Sequence, residues 1–249
     1  MQNEARLDSI QKSDPSVLHS VVKDRSLYYA SKRALDFIGA LALLLLLSPV
    51  MFLIGAAIKL YSPGPIFFVQ KRVGAKRQGR GKDAYWQRTT FSCYKFRTMH
   101  IGADPSVHQA YVKALIENNH EQMEAIQGEA TEVRKLVRDA RITRPGRFLR
   151  KLSLDELPQL WNVVCGDMSL VGPRPAIPYE VEMYKPWHLQ RFETQSGITG
   201  FQQITARSAA DFDQQVLLDI HYIEHQSFWL DVKIILKTPL VILSTKGAA

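Results

Sequence analysis

The sequence predicts an α+β fold, mainly helical, in which an N-terminal apolar segment enters a membrane as a helix-break-helix. Three observations carry this. An apolar block of about two dozen residues, 34–58, is long enough for a bilayer core of roughly 30 Å. Two short runs after it, 66–70 and 91–97, read as a small pair of strands. Much of the remaining chain has helical composition and is punctuated by proline-rich turns.

The chain has 249 residues, 46% of them hydrophobic and 22% charged, which is enough for a sizeable core. A net charge of +8 and a pI near 9.5 favour anionic partners: nucleic acid, an acidic leaflet or phosphorylated substrates. Only Cys93 and Cys165 occur, far apart. That argues against a disulfide framework and a zinc site, and it suits a reducing compartment.

Residues 1–30 form a polar arm with no sustained hydrophobic period. The membrane segment, 31–61, starts too late and runs too long for a secretory signal. Ser48 and Pro49 stand near its middle, where proline removes a backbone hydrogen bond and clashes with the preceding turn. Each half is then about 12 residues, or about 18 Å of helix, close to one leaflet. Lys32 and Arg33 precede the block, and Lys71, Arg72, Lys76, Arg77, Arg80 and Lys82 follow it. Positive charge marks the cytoplasmic side, and here both ends carry it. A re-entrant helix satisfies both facts; a kinked span is the alternative.

The body follows, 62–249. Residues 61–65 read as a turn, and 74–82, rich in Gly, Lys and Arg, as an exposed loop between the strands. Residues 106–138 have helical composition, with Gly128 as the expected divider. Residues 228–243 are strongly apolar, with Asp231, Lys233 and Lys237 spaced along them. They read as an amphipathic helix pair at a bilayer surface, or as an ordinary core helix.

Chemistry concentrates in residues 147–175. Asp155 and Glu156 follow three cations and precede Pro158. Neighbouring helical positions differ by about 100°, so both carboxylates can reach one cleft. Such a pair can divide roles between nucleophile or metal ligand and proton handling. The alternative is a capping box, with Ser153 as cap and Glu156 reaching back. That would set Pro158 at the fifth helical position, against the Leu154 carbonyl. Starting the helix at Asp155 relieves the clash and leaves Asp155 at a positive helix end. On pattern alone both readings stand. In Gly172-Pro173-Arg174-Pro175, two prolines fix the backbone around one arginine. Its guanidinium suits bidentate phosphate binding, unless the segment is only a rigid turn.

Four motifs now appear in order: Lys95-Phe96-Arg97-Thr98-Met99, Ser153-Leu154-Asp155-Glu156-Leu157-Pro158-Gln159, Met168-Ser169-Leu170-Val171-Gly172-Pro173-Arg174-Pro175 and Gly197-Ile198-Thr199-Gly200. Together they closely resemble the monotopic phosphoglycosyl transferases, the bacterial sugar transferase family of exopolysaccharide, capsule and O-antigen initiation. The resemblance runs from about residue 30 to the C-terminus. It implies transfer of a sugar 1-phosphate from a UDP-sugar to polyprenyl (undecaprenyl) phosphate, with UMP released through an aspartyl phosphosugar. Asp155 is then the expected nucleophile and Mg2+ ligand, with Glu156 aiding the metal or the acceptor. Arg150 and Arg174 are expected to clamp phosphates. Lys95 and Arg97 line the same site, or else form a solvated basic strand edge.

The resemblance also implies the re-entrant helix broken at Ser48 and Pro49, contact with membrane lipids, and a catalytic body on the cytoplasmic face of a bacterial inner membrane. Large members carry an extra N-terminal multi-span domain, so this chain reads as the catalytic module with a short arm. It departs from the pattern in a longer stretch between 74 and 91, and in Phe201-Gln202-Gln203, where a small or aromatic residue more often precedes the glutamine. Those departures bear on loop structure and sugar choice. A nucleic-acid partner is not expected, because no such module appears and the apolar block serves no duplex contact. A membrane scaffold leaves the dyad and Pro-Arg-Pro unexplained. A phosphatase using the same dyad would transfer to water. A homodimer is compatible with the chain, but no residue argues for it.

Overall fold

The computed structural model describes residues 17–18, 25–79, 83–127, 139, 141–206 and 210–244. Most of the polar arm, Arg80, Lys82 and the expected division at Gly128 lie outside these residues.

Helix α1 spans Ser26–Tyr61 and is continuous, which corrects the expected break at Ser48 and Pro49. Pro49 leaves the Leu45 carbonyl without its backbone donor, and the Ser48 hydroxyl donates to that carbonyl at 2.8 Å. The helix therefore continues through the proline. Its inward stripe is Lys32, Asp36, Ala40, Leu44, Leu47, Met51, Ile54 and Ile58, a spacing of three and four residues along the whole length. Near its start Arg33 donates to the Val163 and Val164 carbonyls at 2.6 and 2.8 Å. Near its end Ile54 and Ile58 pack on Phe96 and Leu149. Each such buried side chain contributes about 1.5–3 kcal/mol. The outer face, including Leu45, Leu46, Phe52 and Leu53, is exposed and apolar. By length and composition this helix is able to cross a membrane.

Strands β2 (Phe67–Gln78) and β3 (Tyr85–Phe96) pair antiparallel from Phe67 with Phe96 to Gln78 with Tyr85. The two-residue strand β1 (Val17–Leu18) adds to β3, giving the order β1-β3-β2. The expected pairing is present, but the expected loop from Gly74 is strand as far as Gln78. Gly74 is there because a side chain would press on the Phe91 ring and Ser196, each 3.0 Å from its Cβ position. Lys76 pairs with Asp167 at 2.8 Å, and the Arg77 guanidinium lies over Tyr29. These basic residues decorate a strand rather than a loop.

Helices α2 (Ser106–Ile116) and α3 (His120–Gln127) are separated at Asn118, within the stretch of helical composition. Asn118 adopts φ 53°, a left-handed conformation that asparagine tolerates, and the Asn119 side chain accepts from the Gln122 amide. Helix α4 (Arg144–Lys151) is capped by Thr143, whose hydroxyl accepts from the Gly146 amide. A 3-10 turn, Leu154–Glu156, leads into α5 (Gln159–Cys165). Strand β4 (Ser169–Val171) pairs in parallel with β5 (Gly197–Thr199). Between them lie α6 (Pro178–Val181) and a 3-10 segment, Pro186–Phe192. Helices α7 (Phe201–Thr205), α8 (Phe212–His225) and α9 (Phe228–Leu243) complete the described chain.

The apolar C-terminal stretch is one helix, α9, and not a pair. Pro239 lies inside it, and beside it the Thr238 hydroxyl donates to the Ile234 carbonyl at 2.8 Å. Trp229, Leu236, Leu240 and Leu243 form one exposed stripe, Trp229 being 77% exposed, while Asp231 and Ile234 face inward and are buried. The outward surface of α9 is thus largely apolar, with Lys233 and Lys237 exposed beside the stripe, while the acidic Asp231 lies inward. The central core gathers Ala40, Phe91, Leu160, Val163, Met168, Val171, Tyr222 and Ile234 between α1, the sheet and the C-terminal helices.

Candidate active site

The dyad sits in the 3-10 turn after Ser153, whose backbone is left-handed at φ 55°. A non-glycine residue held there signals local strain, of the kind that collects at functional sites. Ser153 makes no side-chain cap, and Pro158 stands at the N-cap of α5, so the capping-box reading does not hold. Asparagine 162 ties α5 to β3: its side chain accepts from the Tyr94 amide at 3.1 Å and donates to the Ser92 carbonyl at 2.8 Å. This amide pairing fixes the turn against the strand that carries Lys95.

Glu156 lies between two cations. Its Oε1 accepts from Lys95 Nζ at 2.7 Å and from Arg174 Nη1 at 3.1 Å. Asp155 is only 8% exposed, and among the described residues its carboxylate makes no hydrogen bond. Burial first, and the Glu156 charge second, push Asp155 above the usual carboxylate range against Lys95, Arg150 and Arg174. Burial would raise Glu156 as well, but Lys95 and Arg174 outweigh it and hold Glu156 well below that range. The two neighbours are thereby driven apart, a pattern that suits a division of labour.

Arg174 is presented by a segment braced on every side. The Gly172 amide donates to Thr199 and the Gly197 amide to Pro173, both at 2.9 Å. A side chain at 172 would collide with the Gln195 carbonyl, so only glycine allows this approach. Arg72 donates to the Pro175 carbonyl at 3.1 Å and to Gln70 at 2.8 Å. The sequence reading grouped Arg72 with the membrane flank and so missed it. Its signal was strand parity, since Gln70 and Arg72 share a face with their partners Cys93 and Phe91.

These groups open onto one cleft of about 1400 Å³. Arg72, Lys95, Arg150, Asp155, Glu156 and Arg174 all line it, as do Gln202 and Gln203. Arg97 lines it too, but its guanidinium is bound to the Ser62 and Pro63 carbonyls and the Ser62 hydroxyl, at 2.7 to 2.8 Å. Arg97 therefore clamps the turn after α1, and its expected phosphate role does not fit this placement. Leu43 and Leu47 of α1 and Ile235, Pro239 and Ile242 of α9 give the cleft an apolar wall. His108 and the Asp139–Arg141 pair, in contact at 2.6 Å, give it a polar one.

No cluster of three or more His, Cys, Asp or Glu occurs among the described residues. A Mg2+ that shares a phosphorylated substrate needs only one or two carboxylates, with phosphate oxygens and water completing the shell. Asp155, whose carboxylate makes no hydrogen bond among the described residues, and the second oxygen of Glu156 fit that requirement.

The sequence profile described as bacterial sugar transferase matches residues 27–245, from α1 through α9. The chain is 41% identical over 219 residues to the galactosyl transferase CpsE of Streptococcus agalactiae, covering 88% of this chain and 43% of that protein. It is 38% identical over 217 residues to the UDP-galactose-lipid carrier transferase of Erwinia amylovora, covering 87% and 41%. It thus spans about two-fifths of the length of these two relatives. The exopolysaccharide production protein ExoY of Sinorhizobium fredii is 38% identical over 215 residues, with 86% of each chain covered. One profile takes in the docked helix α1, the buried dyad and the braced Arg174 together, and by that match the chain belongs to the bacterial sugar transferase family.

Proposed function

We propose that the chain transfers a sugar 1-phosphate from a UDP-sugar to polyprenyl phosphate, releasing UMP, in the initiation of a bacterial surface polysaccharide. The carrying observation is the buried Asp155, unbonded beside a Glu156 fixed by Lys95 and Arg174, in a cleft with one apolar wall. The relatives' names, a UDP-galactose-lipid carrier transferase and an undecaprenyl-phosphate galactose phosphotransferase of Salmonella typhimurium, support donor and acceptor.

An Asp155 oxygen attacks the phosphorus nearest the sugar. The bond from that phosphorus to the bridging oxygen breaks, and UMP leaves with that oxygen and its electron pair. A phosphate oxygen of the polyprenyl acceptor then attacks the same phosphorus. The bond to Asp155 breaks, and the carboxylate is restored. A carboxylate approaching a diphosphate meets like charge, so cations must offset it. Arg150 and Arg174 supply fixed positive charge, and Mg2+ held by Asp155 with Glu156 beside it would neutralise and orient the diphosphate.

The apolar wall between α1 and α9 suits a prenyl chain entering from the bilayer. Because α1 is docked on the body near both of its ends, the body must stay beside both, which favours a helix lying in one leaflet on the cytoplasmic face. Single cysteines at Leu27 and Leu60, both strongly exposed, are expected to react alike with an impermeant maleimide in sealed vesicles. This needs Cys165→Ser, because Cys165 is exposed. Labelling of only one end would establish a span.

The function is tested with purified protein in lipid, Mg2+, undecaprenyl phosphate and a panel of UDP-sugars. UMP release should require one donor, the acceptor and the divalent ion. Absence of release with every donor would overturn the reading, and sugar phosphate appearing in water without acceptor would make the protein a phosphatase. The raised Asp155 also predicts the acid limb: kcat/KM should fall with decreasing pH around a value above the ordinary carboxylate range. A limb at or below the usual 3.8 would separate the nucleophile from Asp155.

A further inference from the structure

Lys32 and Asp36 lie on the first turns of α1, yet both are buried, at 4% and 2% exposure, and both point at strand β4. Lys32 Nζ donates to the Val171 carbonyl at 2.9 Å and to Asp231 at 3.0 Å. Asp231 is 1% exposed and also accepts from the Tyr28 and Tyr222 hydroxyls, at 2.8 and 2.6 Å. The Asp36 carboxylate accepts from the Leu170 amide at 2.9 Å. The Val171 carbonyl takes a further donor, the Ser169 hydroxyl at 2.9 Å, and the Tyr222 oxygen lies 3.3 Å from it. So the last two residues of β4 are held by charged side chains of the membrane helix, and the next three are Gly172, Pro173 and Arg174.

A buried ion pair is a costly way to hold two elements together, since well-packed apolar residues often do it as well or better. Its retention here calls for something that apolar packing does not give. Directional bonds to one carbonyl and one amide set the register of β4 along its own axis. The stiff Pro-Arg-Pro segment carries that register to the guanidinium. From the other side the segment is already fixed by Arg72 on Pro175 and by the Val73–Ala176 bridge. Strand β5 pairs with β4 along one edge, and Lys32 and Asp36 add a second hold on β4, from the side of α1.

We propose that Lys32 and Asp36 are positioning residues for Arg174, so that the seat of helix α1 sets the placement of the phosphate-binding arginine. This rests on the proposed role of Arg174 at the donor diphosphate. Neither residue touches substrate. Both act through the β4 backbone.

The test is a cycle between this network and Arg174, read as kcat/KM for the UDP-sugar in lipid. Lys32→Met together with Asp231→Asn removes the ion pair while keeping an acceptor for the Tyr28 and Tyr222 hydroxyls, and Asp36 keeps its bond from the Leu170 amide, so the melting temperature should stay close to wild type. Activity should nevertheless fall about 10-fold or more. In an Arg174→Ala background the same pair should change kcat/KM by less than about 2-fold, because its route of action is gone. Asp36→Ala is the second variant, expected to follow the same pattern through the Leu170 amide. An equal loss in both backgrounds would assign the network a structural role and overturn the proposal, as would full activity in the stable double variant. Wild type without UMP release would instead overturn the proposed function, so the two failures are distinct.

Discussion

Asp155→Asn is expected to abolish UMP release, by roughly 10⁴-fold or more, while the protein keeps or gains stability. Asparagine is nearly isosteric, so the turn and the Glu156 contacts should persist, but its amide cannot attack phosphorus. The stability effect follows from the raised pKa of Asp155. A group whose pKa rises on folding is favourable below its unfolded value, here 3.8, and that contribution is lost as pH climbs through the folded value. At neutral pH the native protein therefore holds a charge that burial disfavours. The neutral amide removes it, and a gain of about 0.5–2 kcal/mol is expected, of the size seen when a functional strain is relieved. The gain should vanish near and below pH 3.8, where Asp155 is protonated in both states. Glu156 has the opposite sign. Its depressed pKa stabilises the fold above the unfolded value of 4.5, and that contribution is lost as pH falls. Thermal melts at several pH values beside an activity assay would check both halves. An inactive but destabilised variant would mean that Asp155 is structural.

The dyad and Arg174 were legible in the sequence because their neighbours are unusual: a proline two residues after Glu156, and prolines on both sides of Arg174. Their partnership was not. Glu156 meets Lys95 across 61 positions and Arg174 across 18, and distance along the chain carries no sign of such pairing. Arg97 misled because it shares a short basic motif with Lys95. Lys95 still belongs to β3 and faces the cleft, whereas Arg97 lies past the strand end, where the Ser62 and Pro63 carbonyls capture it. Arg72 was hidden by the opposite error. A charge near a membrane segment reads as a flank, and only the register of β2 on β3 turns it inward. The loop expected at Gly74 failed for a related reason: glycine there answers the nearby Phe91 ring and Ser196 rather than a turn. In α1 the proline rule was sound, but a serine one residue earlier satisfied the carbonyl that proline leaves free. Local composition predicts elements well where nothing distant competes, and it fails where a remote side chain supplies the missing bond.

Arg174→Ala is expected to lower kcat/KM for the donor by about 10²–10³-fold, the loss typical of a preorganised group facing developing charge. Only Nη1 is committed to Glu156, and the side chain is 46% exposed to the cleft. The rest of the planar guanidinium remains available for phosphate oxygens, in a direction set by two prolines. Alanine removes this clamp and also one of the two cations that hold Glu156 down, so the acid limb of stability assigned to Glu156 should move up in pH. Arg174→Lys separates the two roles. An ammonium can still pair with Glu156, but it cannot span two phosphate oxygens from the same position. Lysine should therefore restore the Glu156 limb while recovering only a small part of kcat/KM. The division between kcat and KM then tells when the clamp acts. A rise in KM alone would place it on the ground-state diphosphate, and an equal fall in kcat and kcat/KM would place it on the charge of the departing UMP. Full activity in the lysine variant would leave Arg174 no role beyond neutralising Glu156, and phosphate binding would then fall to Arg150 and Arg72.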